Sequence, residues 1–148
     1  MAFVIKFPDA EDYFANVHFD VNERSGRWDD VMLVKALLNL VYSPNNGMFK
    51  SPLRAPLTVN RHFDNATATL IRHFQRTFQK RVHPDGIVSR FFATSYSKAE
   101  KCTIINLQRW ADRALAGLRH GESVLEYLKS KYPELAGPLS VKAAPGTH

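Results

Sequence analysis

LTVNRHFDNATATLIRHFQRTF, residues 57–78, and RVHPDGIVSR, residues 81–90, decide how this chain is read. The first leads a loop of small and polar residues into a helix predicted from Asn65 to Val82. Ile71, Phe74, Phe78 and Val82 recur at the three- and four-residue spacing that lines up one apolar face. Arg72, Arg76 and Lys80 recur every four residues on the opposite face. The second stretch stops the helix with Pro84-Asp85-Gly86, where glycine supplies a positive φ without steric cost. The apolar pair Ile87-Val88 then returns the chain to the core.

Working outward, a helix is predicted from Asp29 to Tyr42. It places Val34, Leu37, Leu38 and Val41 on one face, joined by Leu33 and Leu40. Asp29 and Asp30 fall in its first turn, at the positive end of the helix dipole. Ser43-Pro44-Asn45-Asn46-Gly47 ends it, and the loop 44–56 is long enough to be functional or a tolerated excursion. Before it, residues 1–27 read as a short β extension. Phe3, Ile5 and Phe7 alternate, as do Val17, Phe19 and Val21, with an acidic turn from Pro8 to Asp12 between them. After the motif, a long helix over 99–118 carries an apolar seam of Ile104, Leu107, Ala111, Ala114 and Leu118. Gly121 and Glu122 start another, with Val124, Leu125 and Leu128 facing inward. The segment 138–148 has little to bury and reads as a flexible tail. The expected fold is mainly α, a small bundle of about four helices with a short N-terminal β element, in one domain over 1–137.

The two quoted stretches resemble the peptidoglycan-binding-like three-helix domain, whose repeat runs L-x-V-D-G-x-F-G-x-x-T-x-x-A-V-x-x-F-Q and then D-G-x-V-G. Leu57, Val59, Phe63, Thr67, Phe74 and Gln75 match without a gap, and Ile71 replaces a similar Val. Asn60, Arg61, Asp64 and Leu70 stand where Asp, Gly, Gly and Ala are usual. The resemblance covers 30–95 and occurs once. It implies a shallow groove near the Asp-Gly turns that grips the glycan or stem peptide of peptidoglycan. Asn60, Arg61, Phe63, Asp85 and Gly86 occupy the matching turns, and Gln75 the matching helix position. Phe63 and Gln75 are equally explained as a packed anchor and a turn-capping amide.

Charge points to a second surface. The net charge is +6, and the segment from Lys50 to Arg90, with eight basic and two acidic residues, accounts for all of it. Such a face suits an anionic partner, or simply keeps the protein soluble. Arg72, Arg76, Lys80 and Arg81 are its candidate contacts, for peptidoglycan or an acidic protein surface. Nucleic acid ranks last, because no reader motif accompanies the cations. The six histidines form no compact ligand pair, and the lone Cys102 excludes an internal disulfide and cysteine-pair zinc sites. No metal, cofactor or catalytic constellation is expected, and the chain reads as non-enzymatic. No secretory signal is visible and no stretch approaches a membrane span. The protein is therefore expected to be made in the cytoplasm and, if it serves the wall, to reach the envelope by a non-classical route. The rival reading is a protein–protein adaptor of an envelope, secretion or phage assembly.

Overall fold

Helix α1 (Trp28–Val41) runs through the middle of the protein, and every residue from Asp29 to Leu38 is buried. The expected face of Val34, Leu37, Leu38 and Val41 is inside, but so are Met32 and Ala36 on the other side. A helix apolar all round has to be covered all round. The computed structural model describes residues 2–43, 50–116 and 123–146. It is mainly helical, with an N-terminal two-stranded hairpin. The remaining helices are α2 (Asn65–Thr77), the one-turn α3 (Tyr96–Ala99), α4 (Thr103–Ala116) and α5 (Val124–Lys131). Helix α1 packs chiefly on α4, which lies beyond the span of the resemblance. Phe74, Leu37 and Val88 meet in one buried cluster, with Phe78 packed against it. Leu118, Gly121 and Glu122 lie outside the described residues, as do Pro44 to Gly47.

The hairpin pairs β1 (Phe3–Lys6) with β2 (Tyr13–Asn16) in antiparallel register, Val4 opposite Ala15. The strand expected around Val17, Phe19 and Val21 therefore sits earlier in the chain. Val17 and Val21 are buried, but Phe19 is 52% exposed, and Val21 bridges to Val88 instead of joining the hairpin. Asp30 explains the departure: its carboxylate accepts the backbone N–H groups of His18 and Phe19, each at 3.0 Å, and pins that stretch to α1.

Two further expectations are corrected. Helix α2 ends at Thr77, not Val82. The Phe78 and Gln79 N–H groups both reach the Phe74 carbonyl, and the Arg81 N–H returns to the Gln75 carbonyl. Lys80 between them adopts φ of 57°, so the chain turns away and Val82 is left 82% exposed. The segment from Pro138 is also not a loose tail as far as Ala143. Pro138–Ser140 form a 3-10 turn with Leu139 buried. Val4 donates to the Val141 carbonyl at 2.7 Å and accepts from Ala143 N–H at 2.9 Å. The free edge of β1 supplied the hydrogen-bond partners that composition alone did not reveal.

Candidate functional site

The loop from Leu57 to Asp64 is tied to α1 by two side chains one turn apart. The Asn39 side chain donates to the Leu57 carbonyl at 2.7 Å and accepts from its N–H at 2.8 Å. Lys35, fully buried, sends its ammonium to Asn60 Oδ1 and the His62 carbonyl, both at 2.8 Å, and to Asp64 Oδ2 at 3.4 Å. A buried ammonium requires such partners, since an unpaired one would be driven to lose its proton. Asn60 Oδ1 also accepts from the His62 N–H at 3.0 Å. Asp64, in place of the usual glycine, caps α2 by accepting from the Thr67 N–H at 2.9 Å and from its hydroxyl. Partial burial pushes the Asp64 carboxyl up, but the Thr67 bonds and Lys35 outweigh it and leave it below the usual range.

The second turn is closed by an amide. Gln75 is fully buried, and its Nε2 donates to Asp85 Oδ1 at 2.9 Å and to the Ile87 carbonyl at 3.0 Å, with Thr103 Oγ1 at 3.3 Å. Its Oε1 accepts the Gly86 N–H at 3.0 Å. Asp85 also accepts from the Ile87 N–H and pairs with Arg81 at 3.3 Å. Partial burial again pushes this carboxyl up, and the Ile87, Gln75 and Arg81 contacts carry it below the usual range. Gly86 sits at φ of 72°, and a Cβ there would meet the Arg72 guanidinium at 3.0 Å. The bare face of this glycine, in a turn near which the resemblance implies a ligand groove, is covered by an arginine of the same chain.

Of the predicted ligand residues, the structure therefore gathers Gln75, Asp85 and Gly86 into one clamp and Asn60 into another. Phe63 is half-buried against the core. Arg61 is exposed, yet its guanidinium bonds Glu134 at 2.8 Å and lies 4.5 Å from the Trp28 ring centroid. The basic face is also divided. Arg72 pairs with Glu23 at 3.2 Å and Arg81 with Asp85, while Lys80 has left the helix. Arg76 and Lys80 have no ion-pair partner among the described residues. The four-residue row that a phosphate backbone would follow is thus broken. Sequence reasoning passed over Lys35, although a lysine inside the run VMLVKALLNLV is itself the signal of a buried, partnered charge.

Away from both turns, a groove of about 930 Å³ opens between β2, α4, α5 and residues 139–142. Glu11, Asp12, Tyr13, Arg109, Asp112 and Lys142 are among its lining. Burial pushes the Asp112 carboxyl up, and the nearby Asp12 charge adds to this against a hydrogen bond from the Val124 N–H. Cys102 is half-buried, and burial raises its thiol as well. Among the described residues no group of three or more histidine, cysteine or acidic side chains could hold a metal ion. No helix among them is long and apolar enough to cross a membrane. No family model, curated protein or solved structure matches this chain.

Proposed function

We propose that this protein is a non-catalytic binding module of peptidoglycan-binding-like type that contacts the bacterial cell wall. One observation carries the reading: the two halves of the motif close on each other. Gln75, from the Phe-Gln pair, holds both Asp85 and Gly86 from the Asp-Gly turn. Phe74 from the first half and Val88 from the second share one core with Leu37. The two stretches that carry the sequence resemblance are thus in contact with each other in the fold.

Binding to insoluble, purified cell-wall sacculi tests the reading. Retention is expected to persist at high salt, where exposed charges are screened. Retention only at low salt would reduce the interaction to the basic excess. No retention at either salt contradicts the proposal and favours the adaptor reading. That reading has its own supporting observation, the exposure of Phe19 and of Val82 on the turn after α2. Large apolar side chains left at the surface in this way are suited to a protein partner.

A further inference from the structure

The motif turns are filled by their own side chains, so a wall ligand needs another surface. We infer that the groove between β2, α4, α5 and residues 139–142 binds a short, extended peptide of mixed charge. Under the function proposed above, on which this inference rests, that peptide is the peptide stem of the wall, not its glycan.

The sheet register supplies the first argument. Val4 directs its N–H and carbonyl away from β2, to the Val141 carbonyl and the Ala143 N–H respectively. Opposite it, Ala15 directs its own away from β1: the Gln108 side chain accepts from its N–H at 2.7 Å and donates to its carbonyl at 2.8 Å. Val4 and Ala15 are therefore a pair without mutual hydrogen bonds, and antiparallel pairs alternate. Lys6 opposite Tyr13, two residues along, is a pair of the same kind. The Tyr13 backbone consequently faces outward on the side of Ala15, and Tyr13 lines the groove. This is a strand edge open to an added peptide, the geometry by which extended peptides join sheets. Gln108 caps the same edge at Ala15, so the opening is short. It fits a few residues of peptide and not a whole added strand.

Side-chain chemistry selects the occupant. Tyr13 is 44% exposed and offers a ring face, with the Lys142 ammonium 5.1 Å from its centroid. Glu11, Asp12 and Asp112 present carboxylates, and Arg109 and Lys142 present cations, around the same groove. Charges of both signs beside an open backbone edge match a peptide bearing a free amine and carboxylates. A neutral sugar would leave most of them without a counterpart. An ammonium group entering near Asp112 would also relieve its repulsion with Asp12.

The test is a titration of the full chain, followed by amide NMR, with soluble muropeptides released from purified sacculi. It is accompanied by retention on glycan strands freed of their peptides and immobilised on beads, compared with beads carrying intact peptidoglycan. The proposal expects shifts at Asp12, Tyr13, Arg109 and Lys142, and loss of retention once the peptides are gone. The exposed double variant Asp12→Lys with Arg109→Glu should keep the wild-type spectrum elsewhere and bind at least about tenfold more weakly. Should that variant fail to fold, Lys142→Glu serves in its place with the same expectation. Binding with shifts confined to Asn60, Arg61 and Asp85 would overturn the groove while leaving the wall-binding function intact. Undiminished retention on peptide-free glycan would overturn the peptide assignment. A wild-type chain that binds neither muropeptides nor sacculi would remove both proposals together.

Discussion

The two turns of the motif and the hairpin groove use similar residues for opposite ends. At the turns, two amides, two carboxylates and a buried lysine bond to one another and to the backbone. Along the groove, carboxylates, cations and a strand edge point outward. A polar side chain marks a ligand site only when the fold leaves it unsatisfied. At the turns, hydrogen bonding consumes the groups whose identity first invited a ligand. The two sides also respond to protons differently: on the motif side the Asp64 and Asp85 carboxyls lie below the usual range, and at the end of the hairpin side the Asp30 carboxyl lies above it.

The motif side should be the costlier to damage. Phe74 is fully buried and stacks on Phe78 with ring centroids 4.7 Å apart. Phe74→Ala is expected to lose about 3–5 kcal/mol in urea unfolding. A loss below about 1 kcal/mol would mean that this face is not core.

The hairpin side should carry a pH dependence of opposite sign to that of the lowered Asp64 and Asp85 carboxyls on the motif side. Burial pushes the Asp30 carboxyl up to about 6, against the two backbone N–H bonds it accepts. From about pH 4 upward the unfolded chain releases this proton before the folded chain does. The stability owed to this group is therefore greatest at the acid end and falls as the pH rises through about 6. The whole effect is up to about 3 kcal/mol. His18, held below its ordinary value first by burial and then by Arg90 and Arg27 among its neighbours, acts in the opposite direction. The test is thus a difference: relative to Asp30→Asn, the wild type should lose stability between about pH 4 and pH 7. A constant gap across that range would show that Asp30 is as well solvated as a surface carboxylate.

Smaller effects sharpen the contrast. Gln75→Ala should cost about 2 kcal/mol, because it strands the buried Gly86 N–H. Lys80→Gly should go the other way and stabilise by about 1 kcal/mol, since Lys80 holds φ of 57°, which only glycine adopts freely. Thermal unfolding of each variant decides both. A destabilised Lys80→Gly would indicate that the lysine side chain contributes more than its backbone costs.

Much of the motif side is legible in the chain because its signals are local. The spacing of Ile71 and Phe74 and the glycine at 86 depend on neighbours within a few residues, and all three behave as read. The end of α2 is not legible in this way. Val82 continues the apolar period perfectly, but bonds to the Phe74 and Gln75 carbonyls close the helix before the chain reaches it. The docking of 138–143 is less legible still, since its partner Val4 lies at the other end of the sequence. The groove has the same character: Tyr13 becomes an edge only once Gln108 and Val141 have taken the positions beside it. Lys35 is the opposite case, a residue whose burial the surrounding run announces and whose partners only the fold supplies.

Native-state amide hydrogen exchange read at two residues tests the contrast most directly. Gly86 N–H, enclosed by Gln75, should exchange only through opening of the core, with protection near that of Phe74 and Val88. Tyr13 N–H, on the open edge of β2, should exchange freely although its neighbour Ala15 is protected by Gln108. Rapid exchange at Gly86 together with strong protection at Tyr13 would contradict the account, placing the open surface at the motif turns and the closed one at the hairpin.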